Sequence, residues 1–435
     1  MDSRSALAIV AAGLAAMSSS TNVVAEAVVE NVEQLVEQVQ DEVIAWRRDF
    51  HEHPELSNRE FRTARAVAAE LEEMGIAVET GIAHTGVAGM LEGGGSGPLV
   101  ALRADMDALP VTEKLDLPFA SQATGEYRGE ETGVMHACGH DAHMAILLGV
   151  ARILSDAREQ LPGSVMFIFQ PAEEGAPEGE EGGAKLMLEE GLFEARKPDA
   201  IFGLHVWSAL PAGVIGYRSG PAMASSDQFR LVVKGRQTHG SKPWTGVDPI
   251  VTAAQIVLGL QTIASRQVDV AAAPSVLSIG RIAGGIRNNI IPDEVEMIGT
   301  VRTFDESMRE QIHDGIARTA THIAESAGAT VDVEIDLGYP VTVNDPELTG
   351  RTLPVLREAA GEANVREMAL VTGAEDFSYF QQRVPGFYFF LGVTPKGTDP
   401  SAAPANHSPL FFIDESALAT GVRALTNLTL EFLEG

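Results

Sequence analysis

The chain has 435 residues and is 45% hydrophobic, enough for a large core and long for one domain, so two domains are the starting expectation. Its formal net charge of −30 at pH 7 repels nucleic acid and anionic membranes, which argues against both as partners. A single cysteine excludes an intramolecular disulfide.

Residues 1–27 have the order of a secretory signal. Arg4 precedes an apolar run from Ala6 to Met17, followed by polar Ser18 to Asn22 and then Val23-Val24-Ala25. Asp2 opposes the basic end, and an Ala-rich terminal helix is the other reading. The expectation is a periplasmic or secreted protein, with the cytoplasm as the alternative. No later segment is apolar for long enough to span a bilayer, so no membrane contact is expected after processing.

From Glu26 to Phe61 apolar residues recur at helical spacing, interrupted at His53-Pro54. Ser57-Asn58-Arg59-Glu60 reads as a capping box opening the next helix. Strands are expected at Val87–Leu91 and Leu99–Ala104, with the Gly-rich Glu92–Pro98 as the hairpin turn between them. A helix over 141–159, a strand Ser164–Gln170, a helix Gly183–Glu190 and a strand Ala200–Val206 follow. This alternation reads as an α/β layer fold with a mostly parallel mixed sheet.

Near Pro221 the pattern changes. Strand Phe229–Lys234, helix Pro249–Gln267, strands Ser275–Ile282 and Glu294–Phe304, helix Ser307–Ala327 and strand Thr330–Leu337 follow in order. That β-α-β-β-α-β series is the ferredoxin-like motif. After Pro340 the α/β alternation returns, with helix 346–361, strand Met368–Val371, helix 376–384, strand Phe387–Leu391 and a terminal helix from Glu415. The simplest organisation is a domain of residues 221–340 inserted into a second domain made of 28–220 and 341–435.

Met135 to His143 packs the only cysteine, three of the eleven histidines and Asp141 into nine residues. A lone Cys is ordinarily inert packing and a lone His an ordinary core or surface residue. Together they form a donor set that suits a transition metal, with Cys138-Gly139-His140 presenting thiolate and imidazole from one turn. Strand Ser164–Gln170 leads into Glu173-Glu174, where α/β folds place their sites. In isolation this pair would be a solvated acidic turn. Beside a metal, one carboxylate can bind the ion while the other takes a proton from water. His205 ends an apolar strand, His407 precedes Leu410-Phe411-Phe412, and strand Leu99–Ala104 ends in Asp105-Met106-Asp107. Strand ends and one helix-opening loop thus deliver donors to what should be one edge of the sheet.

These stretches resemble the amidohydrolase branch of the aminoacylase/carboxypeptidase metallopeptidase family, which includes hippurate hydrolase and plant auxin-conjugate hydrolases. The resemblance extends through Arg48–Glu55, Arg103–Pro110, His136–His143, Gln170–Gly175, Gly203–Trp207, Thr238–Pro243, Asn288–Asp293, Gly373–Phe377 and Asn406–Pro409, in family order across residues 40 to 430. It implies a zinc-peptidase-like catalytic domain carrying the inserted ferredoxin-like module as lid and dimerisation domain, and hence a homodimer. It further implies two divalent metals per subunit (zinc, manganese, nickel or cobalt) held by Cys138, His140, Glu174, His205 and His407. Glu173 matches the general base, and Asp107 a residue orienting a ligand imidazole. His239 matches an oxyanion-stabilising His supplied across the dimer, and Asn289 a substrate-holding lid residue. Arg287 is a further candidate for a substrate carboxylate. The implied reaction is hydrolysis of N-acyl amino acids. A dipeptidase or carboxypeptidase using the same site is the alternative, and a non-catalytic metal- or solute-binding protein a more remote one.

Overall fold

A computed structural model describes residues 31–435, so the signal-like segment 1–27 lies outside the described residues. The chain forms α1 (Val32–Glu52), α2 (Phe61–Glu73), β1 (Ala77–Ile82), β2 (Gly86–Leu91), β3 (Leu99–Asp105), β4 (Thr124–Tyr127) and β5 (Glu130–Gly133). Next come α3 (His140–Asp156), β6 (Ser164–Gln170), α4 (Gly183–Glu189), β7 (Ala200–Pro211), β8 (Ile215–Tyr217) and β9 (Gly220–Met223). The middle of the chain holds β10 (Asp227–Lys234), β11 (Thr238–His239), α5 (Pro249–Thr262), β12 (Ser275–Ala283), β13 (Ile290–Ile291), β14 (Glu294–Thr303), α6 (Glu306–Ser326) and β15 (Thr330–Leu337). The last elements are β16 (Thr342–Asn344), α7 (Pro346–Ala360), β17 (Val365–Glu367), α8 (Phe377–Gln381), β18 (Gly386–Thr394) and α9 (Leu418–Glu434). Two compact units result. One holds the chain up to Ser219 with Asn344–Met368 and Phe380–Gly435; the other holds Gly220–Val343 with Ala369–Tyr379.

The first unit is an α/β layer structure on a mixed sheet in the order β1-β2-β6-β3-β7-β18-β8-β17. Its centre, β6, β3, β7 and β18, is mutually parallel. Strands β3, β6 and β18 are buried along their whole length, as expected for parallel strands covered on both faces. Helix α1 buries Val32, Val36, Val39, Val43 and Phe50, one stripe at helical spacing. Helix α3 is buried almost all round and packs against α1 and α9. Gly149 permits that approach, since a Cβ there would lie 2.6 Å from Val43 Cγ2. No helix among the described residues is long and apolar enough to cross a membrane.

Some local expectations are corrected. Strands β2 and β3 do not form a hairpin, because β6 lies between them, antiparallel to β2 and parallel to β3. The Gly-rich loop instead runs against residues 158–163: Gly94, Gly95 and Gly97 donate to the carbonyls of Arg158, Leu161 and Pro162. A Cβ on Gly93 would meet Gly163 O at 2.0 Å, so close backbone passage explains the glycines. The Ser57–Glu60 capping box does not form. Ser57 Oγ donates to Asp107, while Glu60 accepts from Ala172 N and Thr85 Oγ1. Glu55 caps α2 instead, accepting from Arg62 N at 3.0 Å and Thr63 N at 2.8 Å. The strand expected over Met368–Val371 lies three residues earlier, as β17, where it pairs in parallel with β8.

In the second unit β10, α5, β12, β14, α6 and β15 follow one another as strand, helix, two strands, helix, strand. The sheet order is β12-β14-β10-β15 with every pair antiparallel. Alternation along β14 buries Val295, Met297 and Val301 with Phe229, Leu231, Ile256 and Ile312. Asp227 at the start of β10 ties in α6, accepting from Arg309 Nε at 2.8 Å and contacting His313 Nε2 at 2.9 Å.

Candidate metal centre

The donors come from the turn after β6, from His205 within β7 rather than at its end, from the turn that opens α3, and from the segment before α9. The Cys138-Gly139-His140 turn opens α3 with Gly139 at φ 95°, and a Cβ there would lie 2.2 Å from Val206 Cγ2. Only glycine allows this turn to seat against β7. Residues 171–174 leave β6 through Ala172 at φ 52°, and His407 stands at φ 71°. Two non-glycine residues in the left-handed region at one site mark a backbone held by its surroundings.

Cys138 Sγ lies 3.3 Å from His205 Nε2 and 3.2 Å from His407 Nε2. His407 Nε2 is 3.2 Å from Glu174 Oε1. His140 Nε2 is 3.8 Å from Glu173 Oε2 and 4.0 Å from Glu174 Oε1. The donor atoms fall into overlapping groups, each within 4.8 Å: Cys138 with His140 and His205, Cys138 with Glu174 and His407, and His140 with Glu173 and Glu174. All five expected ligands therefore meet, with the Cys138 sulfur common to two groups. A further group joins Asp105, His140 and His143.

The remaining ring nitrogens fix the imidazole faces. His140 Nδ1 is 2.8 Å from Asp107 O and 3.3 Å from Asp107 Oδ1, so its Nδ1–H points away from the donors. His205 Nδ1 donates to Val206 O at 2.7 Å, which turns its Nε2 lone pair toward Cys138. Asp107 accepts from Glu173 N and Glu174 N, both at 3.0 Å, and from Ser57 Oγ at 2.8 Å. One carboxylate thus shapes the Glu173-Glu174 turn and orients His140.

The donors fit a cation. His140 Nε2 is buried without a hydrogen-bond partner, a costly arrangement that a metal ion relieves. Thiolate, imidazole and carboxylate together suit zinc and its first-row neighbours. Burial pushes the Cys138 thiol up, and Glu174, Glu173 and Asp105 push it further, so a cation here displaces a proton. Burial also lowers His140, but Asp105 and Asp107 outweigh it and raise the group to about 10. The proton and a metal compete for the same Nε2 lone pair. Burial, then the adjacent His143, holds His205 well below its ordinary value, keeping it neutral and able to ligate. His136 joins none of the donor groups, and burial lowers it to about 3.

Other functional groups escaped the sequence reading. His143 Nδ1 contacts Asp105 Oδ1 at 2.6 Å, and its Nε2 accepts from Val206 N at 2.8 Å, so both nitrogens are engaged. Asp105 also accepts from Arg103 Nη1 at 2.7 Å, and Arg103 Nε donates to Gln170 at 2.8 Å. This buried chain ties β6, β3, α3 and β7 together under the donors. The position of His143 three residues after His140 was the available signal, since that spacing shares a helix face.

His239, Arg287 and Asn289 belong to the second unit. His239 pairs with Ile290 across β11 and β13, and its Nδ1 accepts from Ser241 N at 3.0 Å. Gly240 N donates to Asn289 O, and Ile290 N to Arg287 O. All three side chains lie on residues that are solvent-exposed in this chain.

Comparison with known proteins agrees with this centre. Residues 101–431 match the model of peptidase family M20/M25/M40, and the chain belongs to that family. It is 42% identical over 406 residues to thermostable carboxypeptidase 2 of Saccharolobus solfataricus, covering 93% of this chain and 98% of that one. It is 38% identical over 397 residues to IAA-amino acid hydrolase ILR1-like 4 of Arabidopsis thaliana, covering 90% and 86%. The crystal structure of the YXEP protein of Bacillus subtilis, a dinuclear metal-binding peptidase, is similar at a TM-score of 0.75 and 37% identity, covering 92% and 99%. The chain is accordingly a metal-dependent hydrolase of amide or peptide bonds, and its clustered donors are groups that could hold metal ions.

Proposed function

We propose that this hydrolase cleaves the amide bond of N-acyl amino acids, with Cys138, His140, Glu174, His205 and His407 as metal ligands and Glu173 as general base. The observation that carries the reading is the meeting of the five donors around Cys138 Sγ with the buried Glu173 carboxylate beside them. Bound divalent cations (zinc, manganese, nickel or cobalt) supply Lewis acidity that polarises a carbonyl and makes water acidic. Glu173 takes the proton of the attacking water and delivers it to the leaving amine, which departs neutral. Asp107 keeps Glu173 in place through its amide and holds the His140 ring. The second unit acts as a ferredoxin-like lid and dimerisation domain. From it His239 of one protomer stabilises the oxyanion in its partner, while Asn289 and Arg287 hold the substrate. The amino-terminal segment serves export to the periplasm or medium.

A carboxypeptidase or dipeptidase activity on short peptides is the second reading, favoured by the 42% identity to a thermostable carboxypeptidase. Turnover of N-acetyl and N-benzoyl amino acids is to be compared with unblocked dipeptides, before chelation, after chelation and after metal restoration. Faster chelator-sensitive turnover of the N-acyl amino acids supports the first reading, and preference for free dipeptides supports the second.

A further inference from the structure

The Cys138, His140 and His205 donors sit on a strand and a helix start, whereas His407 sits on an irregular segment between β18 and α9. Its side chain is 55% exposed and its backbone lies at φ 71°. Something must hold that segment against the core. The backbone N–H of His407 donates to Ala137 O at 2.8 Å. The neighbouring Asn406 does more. Its Nδ2 donates to Cys138 O at 3.2 Å and to Val206 O at 3.1 Å. Its Oδ1 accepts from Ser208 N at 3.2 Å and Ser208 Oγ at 3.1 Å. Two carbonyls on one side and a backbone N–H on the other leave only one orientation of the amide.

We propose that Asn406 is a positioning residue for one metal position, that built on Cys138, Glu174 and His407. The inference rests on the ligand assignment above and goes beyond it. The companion position on Cys138, His140 and His205 keeps its own supports. Val206 N–H is held by His143 Nε2 at 2.8 Å, and Val206 O accepts from His205 Nδ1 at 2.7 Å. His140 is held by Asp107. Loss of the Asn406 amide therefore frees the His407 segment, while the companion position loses only the contacts on Cys138 O and Val206 O and keeps the His143 and Asp107 supports. The two metal equivalents then differ in their dependence on a side chain that touches neither ion.

Calorimetric titration of the metal-free full-length protein with Zn²⁺, and with Co²⁺ followed by its absorption spectrum, tests this on Asn406→Asp and Ser208→Ala. Asn406→Asp keeps the acceptor facing Ser208 but sets a carboxylate oxygen against two carbonyls. Its expected signature is one equivalent weakened by a clearly smaller factor than the other, which weakens about 10- to 100-fold, the size usual for groups behind a ligand. Ser208→Ala removes one hydrogen bond and weakens the same equivalent by a smaller factor. The thermal midpoint of metal-free Ser208→Ala stays near the parental value, which a merely structural defect would lower. Two equivalents at parental affinity, or two weakened alike, overturn the proposal. A parental protein that takes up fewer than two equivalents overturns the ligand assignment instead.

Discussion

Glu173 and Glu174 are adjacent and both approach His140 Nε2, yet only Glu174 also reaches His407. Glu174 Oε1 approaches His407, while Glu173 Oε2 approaches His140 at a longer distance. Under the proposed function, that difference assigns Glu174 to the metal and Glu173 to the proton. Glu173→Gln is expected to lower kcat by about 10²- to 10⁴-fold while two metal equivalents remain bound. Near-parental turnover in that variant refutes the base assignment. At this scale much of the candidate site was readable, because Cys138, His140, Glu173 and Glu174 occur in compact motifs and His205 follows an apolar run, although β7 continues past it to Pro211. Asp105, His143 and Asn406 were not readable as a supporting set. Their partners come from segments up to 268 residues away, as in the bond from Asn406 to Cys138, and no local pattern records such a pairing.

The elements that carry these residues depend on caps and clamps supplied from outside them. Glu55→Ala removes the acceptor for two amides at the start of α2 and is expected to cost about 1 kcal/mol. Denaturant unfolding of that variant beside Glu60→Gln separates the cap from the residue that the sequence pattern favoured. Glu60 lost the capping role because Ala172 N and Thr85 draw its carboxylate inward. Strand β1 escaped notice because it is mostly exposed and carries no apolar alternation. The β2–β3 hairpin was misread because adjacency in sequence concealed β6 between the two strands.

In the second unit the Asp227 clamp makes a pH prediction. Burial pushes the Asp227 carboxyl up, but hydrogen bonds from Arg309 and His313 outweigh it and hold its pKa below the usual value. A depressed carboxylate contributes stability above its unfolded pKa of about 3.9 and loses it as pH falls through the folded value. Asp227→Asn is thus expected to lower the unfolding midpoint at neutral pH, with the gap to the parental protein closing below about pH 4. A gap that stays constant down to low pH contradicts the clamp.

For the whole molecule, the first unit is closed by both ends of the described chain, and its donors come from the turn after β6, from β7, from the start of α3 and from the segment before α9. Metal binding therefore joins distant stretches and couples to folding. A free cation concentration about 100-fold above Kd is expected to add roughly 2.7 kcal/mol to stability, read as a concentration-dependent rise in unfolding midpoint. The α/β alternation and the βαββαβ order were legible because hydrophobic period changes with element type. The donors gather as expected, but from turns, a helix start and the interior of β7 rather than from strand ends. The small strands β4, β5 and β8 were not legible and β17 was misplaced by three residues, since three- and four-residue strands carry too little pattern.

Anomalous diffraction from metal-soaked crystals, recorded on either side of the metal absorption edge, bears most directly on the account. Two peaks are expected, both in contact with the Cys138 sulfur, one also bound by His140 and His205 and the other by Glu174 and His407. A single ion remote from Cys138, or two ions that leave His407 or His205 unbound, contradicts it.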